Sequence, residues 1–262
     1  MTVKCKKIEQ AKRSYKQCES RKKLLTAVAI VGANNATKSS LANVLSGHKK
    51  EGFFEVGEGP VTHAITSCEF EQRLYIDTPG TGFSSDDDVI AKGAYDQVDV
   101  FVMAHRIDSG ELDAHEMKWL KNFLSIYKCE LIIAVTASEM KDEQDQLKIT
   151  AKIQEQLATL NMADTPLILV SCNRYNAGVE FSSADFIQLS GIEELQNEIS
   201  NACEYVEQSR SRKLNKAKDH LLSVITDRIA LLNQQKLSID DERKSQSEDI
   251  KRAVDLIAET YF

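Results

Sequence analysis

Proline and glycine are scarce in this chain of 262 residues, which holds three prolines and 11 glycines. Neither residue occurs from Cys203 to Phe262, so nothing there interrupts a helix. No apolar run approaches the roughly 18 uninterrupted residues of a membrane span. The start of the chain is basic and lacks the apolar segment of a secretion signal. The sequence therefore predicts neither a transmembrane helix nor a secretion signal.

Cysteine occurs without a metal-binding or disulfide pattern. The six cysteines, at positions 5, 18, 68, 129, 172 and 203, form no C-x-x-C motif. Such spacing is typical of buried thiols in a reducing compartment rather than of disulfides or a zinc site. We expect a cytoplasmic protein.

A polar loop joins an apolar stretch at 24–31 to a helical pattern at 41–45, and it reads Gly32-Ala33-Asn34-Asn35-Ala36-Thr37-Lys38-Ser39-Ser40. Phosphate-binding loops wrap a phosphate chain with backbone N–H groups, reach its outer phosphates with a lysine and place a hydroxyl on the metal ion. Lys38 and Ser39 suit the last two roles. Thr37 departs from the G-x-x-x-x-G-K-S/T pattern, because a β-branched residue replaces the second glycine.

An alternating strand ends in an aspartate and a Pro-Gly turn, in the run Leu74-Tyr75-Ile76-Asp77-Thr78-Pro79-Gly80. In nucleotide-hydrolysing switches an aspartate at this place holds Mg²⁺ through water, and the glycine offers a backbone N–H to the terminal phosphate. A type I turn would explain these residues if they stood alone. Their distance from Lys38 and Ser39 favours the nucleotide interpretation.

Between these motifs, a turn-rich segment from Gly57 runs into a strand pattern at 64–70. A switch loop needs a hydroxyl that contacts the metal and the terminal phosphate only in the triphosphate state. Thr62 is the candidate for this hydroxyl. Thr66 is the second choice, because it stands within the strand pattern, where threonine is common.

Short apolar runs alternate with helical patterns in the rest of the first 205 residues: strands at 98–104, 131–135 and 167–170, and helices at 111–126, about 142–160 and from 191 onward. This alternation predicts an α/β fold, with a mostly parallel sheet and helices on both faces. The apolar content of 42% is enough to bury such a core.

Charge is unevenly distributed. Residues 1–24 hold nine Lys/Arg and two Glu, whereas the whole chain has a net charge of −7. A basic helix of this kind contacts anionic lipid or nucleic acid, or packs within its own chain. The helical spacing of Ile8, Ala11, Tyr15 and Cys18 favours packing on an acidic surface of the same chain.

Two apolar stripes at helical spacing mark the C-terminal quarter: Leu222, Ile225, Ile229 and Leu232, then Ile250, Val254, Ile257 and Tyr261. The polar stretch 238–247 between them is either a connection or the exposed part of one continuous helix. The stripes predict a helical bundle or coiled coil with the N-terminal helix. We therefore divide the chain into an N-terminal helix at 1–23, a nucleotide-binding domain at 24–205 and a bundle segment at 206–262.

The phosphate loop, the switch threonine and Asp77-Thr78-Pro79-Gly80, in this order, resemble the translation-factor-related P-loop GTPases. The resemblance covers roughly residues 24–205 and is closest to the bacterial dynamin-like branch, with the Era-like GTPases as the neighbouring family. It implies GTP and GDP as ligands, Mg²⁺ dependence, hydrolysis of GTP and pairing of two GTPase domains. The helices before the first strand and after the last are also what the dynamin-like resemblance implies, although known members carry a longer stalk.

The resemblance also implies roles for individual residues. Asn35 matches an asparagine that helps to place K⁺ in Era-like proteins, and Asn34 falls where dynamins carry a polar catalytic residue. Three residue sets follow: catalytic Asn34, Lys38 and Thr62; metal-binding Ser39, Thr62 and Asp77; and nucleotide-binding Gly32, Asn34, Asn35, Ala36, Thr37, Lys38, Ser39, Ser40, Gly80, Thr136, Glu139 and Ser171.

The chain departs from the family pattern in the residues that recognise the guanine base and in the residue that sets the rate of hydrolysis. The family reads guanine with Asn/Thr-Lys-x-Asp, whereas this chain has Thr136-Ala137-Ser138-Glu139, in which Ala137 supplies no lysine stem to stack on the base. Ser171 alone remains of a later Ser-Ala pair. No glutamine follows Gly80 to orient the attacking water, since the next residue is Thr81. We expect GTP binding with slow hydrolysis.

Two hypotheses follow. The first is a dynamin-like GTPase that forms a homodimer, or a heterodimer with a related protein, moves its helical bundle and contacts a membrane peripherally. The second is a scaffold that binds a partner through its helices without hydrolysis. An Era-like GTPase is a further alternative. The C-terminal tract lacks a Gly-x-x-Gly clamp and an aromatic-interleaved basic patch, which does not favour nucleic acid as a partner.

Overall fold

The computed structural model describes residues 3–33, 35–48, 52–54, 66–78, 98–126 and 129–261. By contacts between Cα atoms, the chain divides into two compact units. One contains residues 25–208, and the other contains residues 1–24 and 209–262.

The first unit is built on a six-stranded sheet in the order β2-β3-β1-β4-β5-β6. Its strands are β1 (Thr26–Gly32), β2 (Thr66–Phe70), β3 (Arg73–Asp77), β4 (Val100–Arg106), β5 (Glu130–Thr136) and β6 (Leu167–Leu169). Only the β2–β3 pair is antiparallel, and the other four pairs are parallel. The predicted α/β fold with a mostly parallel sheet is confirmed.

The helices of this unit are α2 (Lys38–Leu45), α3 (Ala114–Ile126), α4 (Glu143–Thr159), α5 (Cys172–Glu180), α6 (Ala184–Gln188) and the start of α7 (Ile192–Tyr261). Short 3₁₀ turns follow β4 at Ile107–Ser109 and β5 at Ser138–Met140. The short helices α5 and α6 follow β6, where the sequence pattern predicted no helix. The exposed side chains on α6 explain why: without a buried apolar face, its five residues give no periodic signal.

A hydrophobic core covers each face of the sheet, since successive strand side chains point to opposite faces. On one face, Val28, Ile30 and Val102 pack with α2 and the start of α7. On the other, Ala29, Phe101 and Ile133 pack with α3 and α4. Strands β1, β4 and β5 are buried on both faces, which explains their richness in valine and isoleucine.

The central strand β1 sets the position of the functional loop. It pairs in parallel with β3 on one side and with β4 on the other. The carboxyl ends of these strands therefore lie at one edge of the sheet, where the loop from β1 to α2 begins.

The second unit is helical and consists of α1 (Val3–Lys22) and the part of α7 from residue 209 onward. On α1, Ala11 is buried, and Ile8, Tyr15 and Cys18 are partly buried. Arg210 donates a hydrogen bond to the carbonyl of Leu24 at 3.0 Å. The polar stretch 238–247 belongs to the single continuous helix α7, which is 70 residues long.

Side chains of α7 are partly shielded at intervals as far as Leu231. The segment 209–231 contains six Lys/Arg and two Asp, so it is itself basic. The acidic surface that the charge of α1 led us to expect is therefore not provided by this segment. In the part of the chain that the structure describes, no helix is long and apolar enough to cross a membrane.

Candidate functional site

The loop between β1 and α2 begins at a glycine that the packing requires. Gly32 has φ 152°, and a Cβ there would collide with the carbonyl oxygen of Ala104 on the neighbouring strand β4. Any larger residue would separate β1 from β4. Gly32 therefore lets the backbone leave β1 while it stays close to the adjacent strand.

Two further loop residues have left-handed backbone conformations. Asn35 has φ 62° and is exposed, and Thr37 has φ 58° and ψ 26° immediately before α2. Asparagine tolerates this region, but a β-branched residue is strained there. Thr37 therefore keeps the conformation that glycine adopts in the family pattern, at an energetic cost of about 1–3 kcal/mol.

Lys38 is the first residue of α2 and is buried. Its Nζ donates to the carbonyl oxygen of Ala33 at 2.8 Å, so the lysine spans its own loop. Burial lowers the pKa of Lys38, although the charge of Asp77 opposes that shift. A buried ammonium with an anionic neighbour and exchangeable hydrogen bonds is well placed to meet a phosphate.

Ser39 and Asp77 meet beside this lysine. Ser39 Oγ donates to Asp77 Oδ2 at 2.6 Å, while Asp77 Oδ1 is buried and has no hydrogen-bond partner among the residues that the structure describes. Burial raises the pKa of Asp77, against the opposing effects of the Ser39 bond, the Lys38 charge and the backbone N–H of Thr78. A hydroxyl beside a carboxylate with an unsatisfied oxygen suits a hard divalent cation such as Mg²⁺.

Two buried threonines hold the ends of the strands together. Thr78 donates from Oγ1 to the carbonyl of Ile30 at 2.8 Å, which ties the end of β3 to β1. Thr136 Oγ1 lies 3.3 Å from the carbonyl oxygens of both Ala36 and His105. Thr136 therefore supports the phosphate loop from behind. The motif analysis assigned no separate role to Thr78, although its place within Asp-Thr-Pro-Gly was the available signal.

The residues expected to read the base lie after β5 and β6. Ala137 has φ 55°, and Glu139 follows in the 3₁₀ turn. Glu139 Oε1 accepts a hydrogen bond from Asn173 Nδ2 at 2.7 Å, and Glu139 Oε2 is buried without a partner in the described part of the chain. Ser171 is buried and caps α5, since its Oγ accepts from the backbone N–H of Arg174 at 3.0 Å.

Some residues of the predicted site lie outside the described part of the chain. These are Asn34, Thr62 and Gly80, so their assigned roles stay predictions. Thr66 is described, at the start of β2 opposite Asp77 in the antiparallel pair. Ser40 is in α2, half-buried.

Two buried polar contacts near the site carry no sequence motif. Asn43 of α2 exchanges hydrogen bonds with the backbone of Phe54, at 2.8 Å and 2.9 Å. His105 on β4 contacts Glu116 Oε1 through Nδ1 at 2.8 Å and the carbonyl of Gly110 through Nε2 at 2.9 Å. Both join segments that are separated in sequence, so only the fold reveals them.

Comparison with known proteins gives the family. A model of the 50S ribosome-binding GTPase family matches residues 27–174, which is more than half of the chain. The chain belongs to this family. The matched segment contains the phosphate loop, Asp77 and the base loops. The protein is accordingly a GTP-binding P-loop GTPase, as the resemblance implied.

Relatives by sequence are distant from this GTPase. An uncharacterized protein of Acinetobacter baylyi is 24% identical over 196 residues, which are 72% of this chain and 45% of that protein. The protein of Dechloromonas aromatica named "Probable GTP-binding protein EngB" is 27% identical over 165 residues, which are 58% of this chain and 73% of EngB. The GTPase thus spans less than half of the Acinetobacter protein.

Solved structures share the fold at low identity. A chain of an oligomerised bacterial dynamin pair aligns with a TM-score of 0.60 and 15% identity, over 96% of this chain and 49% of that one. Era, in complex with MgGDPNP and 16S ribosomal RNA, aligns with a TM-score of 0.50 and 20% identity, over 68% of this chain and 57% of Era. Both alignments show the fold alone.

Proposed function

We propose that the protein is a dynamin-like GTPase that binds GTP with Mg²⁺, hydrolyses it slowly and couples the nucleotide state to pairing of two GTPase domains. The observation that carries the nucleotide part is the meeting of Lys38, Ser39 and Asp77 at the carboxyl edge of the sheet. Ser39, Asp77 and Thr62 are the residues that would hold Mg²⁺. The ion would neutralise charge on the phosphates when bound.

The side chains divide the work at the phosphates. Lys38 exchanges its bond to the Ala33 carbonyl for the outer phosphates, which are stronger acceptors for an ammonium. Asn34 and Thr62 complete the catalytic set of this proposal, and Asn35 is the candidate contact for K⁺. Phosphoryl transfer depends on positioning, so the absence of a glutamine after Gly80 gives slow turnover without loss of binding.

The dynamin-like part of the proposal is supported by the helical unit. Helices from both ends of the chain, α1 and the later part of α7, form one compact unit separate from the GTPase unit. Such a unit is suited to respond to changes in the GTPase core. We extend the proposal to a homodimer, or a heterodimer with a related protein, that acts at a membrane surface.

Light scattering during size-exclusion chromatography tests the pairing. The mass should double with a non-hydrolysable GTP analogue and Mg²⁺, but not with GDP. Lys38→Ala should remain monomeric with either nucleotide. Phosphate release measured in K⁺ and in Na⁺ tests hydrolysis on the same samples, with faster release expected in K⁺. A mass independent of nucleotide would contradict the proposal.

A scaffold without hydrolysis is the second candidate, and the surface of α7 favours it. From Leu232 to Leu256 every residue except Asp240 is exposed, and these include Leu237, Ile250 and Val254, which are 57–65% exposed. Apolar side chains at such exposure suit a partner helix. In this case complexes should form without nucleotide, and they should be lost when Leu237, Ile250 and Val254 are replaced by serine.

A further inference from the structure

The carboxylate of Glu139 lies at the junction of the two loops that follow β5 and β6. Its Oε1 accepts a hydrogen bond from Asn173 in the first turn of α5, at 2.7 Å. The two residues are 34 positions apart in the chain. This contact has no counterpart in the Asn/Thr-Lys-x-Asp motif. In that motif the base-reading carboxylate stands two positions after a lysine.

Hydrogen bonds to backbone groups hold both sides of the junction. The N–H of Ser138 donates to the carbonyl of Val170 at 3.1 Å, which joins the two loops. Gln146 of α4 clamps the turn that carries Glu139, because its Nε2 donates to the carbonyls of Ser138 and Lys141 at 2.8 Å and 3.0 Å. The Ser171 cap fixes the start of α5 and therefore the position of Asn173.

The two oxygens of Glu139 are not equivalent. Oε1 already has the Asn173 amide as a donor, whereas Oε2 is buried and, within the described ranges of the chain, has no partner. A buried carboxylate oxygen without a donor is costly, and a bound ligand with an N–H group removes that cost. The Asn173 amide, on an exposed side chain at the start of α5, satisfies Oε1 and thus leaves Oε2 as the oxygen that a ligand must satisfy.

We propose that Asn173 is a positioning residue that presents a single oxygen of Glu139 to the base, so that the site takes 6-oxopurine nucleotides and accepts hypoxanthine nearly as well as guanine. This inference rests on the proposed GTP binding. Guanine and hypoxanthine share the ring N1–H that satisfies Oε2, and they differ in the exocyclic amine of guanine. Adenine has an acceptor at N1 and leaves Oε2 unsatisfied.

This site differs in base selectivity from one in which no asparagine occupies an oxygen of the carboxylate. A carboxylate that uses both oxygens for two donors of guanine rejects hypoxanthine, because one oxygen is then left unpaired. Here Asn173 satisfies Oε1 whichever base is bound. Loss of the exocyclic amine therefore leaves no buried acceptor of Glu139 without a donor.

Titration with GTP, ITP and ATP in Mg²⁺ tests this proposal. In the unmodified protein the affinities for GTP and ITP should agree within about threefold, and ATP should bind at least about tenfold more weakly. Asn173→Ala frees Oε1 for the exocyclic amine of guanine and releases the orientation of Glu139. The ratio of GTP to ITP affinity should then rise to about tenfold or more.

Controls separate positioning from a general structural effect. Asn176→Ala removes an asparagine from the same helix and should leave the ratio unchanged. In a Glu139→Ala background, Asn173→Ala should change neither affinity, because its effect passes through the carboxylate. Asn173→Leu has a similar size, no charge and no donor, so it serves as a second variant if thermal melting shows that the alanine variant is unfolded.

The outcomes distinguish this inference from the proposed function. GTP binding with strong preference over ITP in the unmodified protein, or a ratio that Asn173→Ala does not move, overturns the inference and leaves GTP binding intact. Absence of binding by all three nucleotides overturns both. A ratio near one that rises only when Asn173 is replaced supports the inference.

Discussion

Ser39 Oγ donates a hydrogen bond to Oδ2 of Asp77 across 2.6 Å, although 38 residues separate the two in the chain. This contact joins the helix after β1 to the end of β3, and Oδ1 of Asp77 is buried with no partner among the described residues. The pair is therefore arranged for a cation that takes one ligand from each residue.

Ser39→Ala should remove the Mg²⁺-dependent part of nucleotide affinity. We expect GTP to bind at least about tenfold more weakly in Mg²⁺, because a charge-assisted oxygen ligand is lost. In EDTA the variant and the unmodified protein should bind alike. Ser40→Ala is the matched control on the next residue: Ser40 belongs to the nucleotide-binding set but not to the metal-binding set, so any loss that it causes should be the same in Mg²⁺ and in EDTA. An equal loss for both variants in calorimetric titrations would contradict a metal role for Ser39.

Thr37→Gly should stabilise the protein by about 1 kcal/mol or more, because glycine adopts φ 58° without the strain of a β-branched residue. Nucleotide affinity should also rise, since the loop then meets the phosphates without a Cβ. Urea unfolding gives the stability. Thr37→Ala keeps the Cβ and loses the hydroxyl, so it should not reproduce the gain. A gain of equal size in the alanine variant would show that strain is not the cause.

His105 should make the stability of the fold depend on pH. Burial opposes its protonation, but the hydrogen bond and charge of Glu116 and the carbonyl of Gly110 outweigh burial and raise the pKa of His105 above its usual 6.5. The folded protein therefore holds this proton more tightly than the unfolded chain. The resulting stabilisation is complete below pH 6.5 and is lost as the pH rises through the folded pKa.

Urea unfolding from pH 5.5 to 9 measures this effect. His105→Gln should lose the pH-dependent stabilisation, whereas His115→Gln, at an exposed position of α3, should keep it. Identical pH profiles for the unmodified protein and His105→Gln would show that the His105–Glu116 pair is not the titrating unit.

Asn43→Ala should lower the free energy of unfolding by about 1–3 kcal/mol, because two buried backbone groups of Phe54 lose their partners. A side chain at position 52 would also collide with Asn43, so Gly52→Ala should weaken the same clamp. Asn197→Ala, at an exposed position of α7, is the control. Equal unfolding midpoints for Asn43→Ala and the control would contradict a clamp by Asn43.

The buried strands were predictable because their valine and isoleucine runs cannot be placed elsewhere in an α/β fold. The ends of the strands were harder to predict. Strand β4 continues through His105 and Arg106, which are polar, because both pair with β5 opposite Val135 and Thr136. The run of apolar residues ends at Ala104, so the sequence pattern does not predict that the strand continues through this pairing.

The local part of the site was also predictable, since Lys38, Ser39 and Asp77 stand in motifs of fixed spacing. The contacts of Asn173 with Glu139 and of Asn43 with Phe54 could not be predicted, because each joins two segments whose contact no sequence motif marks. The continuity of α7 was left open by the sequence. The polar stretch 238–247 contains no glycine or proline, so backbone propensity permits one continuous helix. The stretch has no periodic apolar side chains, however, so the sequence pattern does not predict a helix there.

The most direct measurement is titration of the protein with labelled GTP, GDP and ATP in Mg²⁺, beside Lys38→Ala. We predict micromolar binding of GTP and GDP, weaker binding of ATP, and loss of all binding in the variant. Binding that Lys38→Ala leaves unchanged, or no binding of guanine nucleotide at millimolar concentration, would contradict a working phosphate site at Lys38, Ser39 and Asp77.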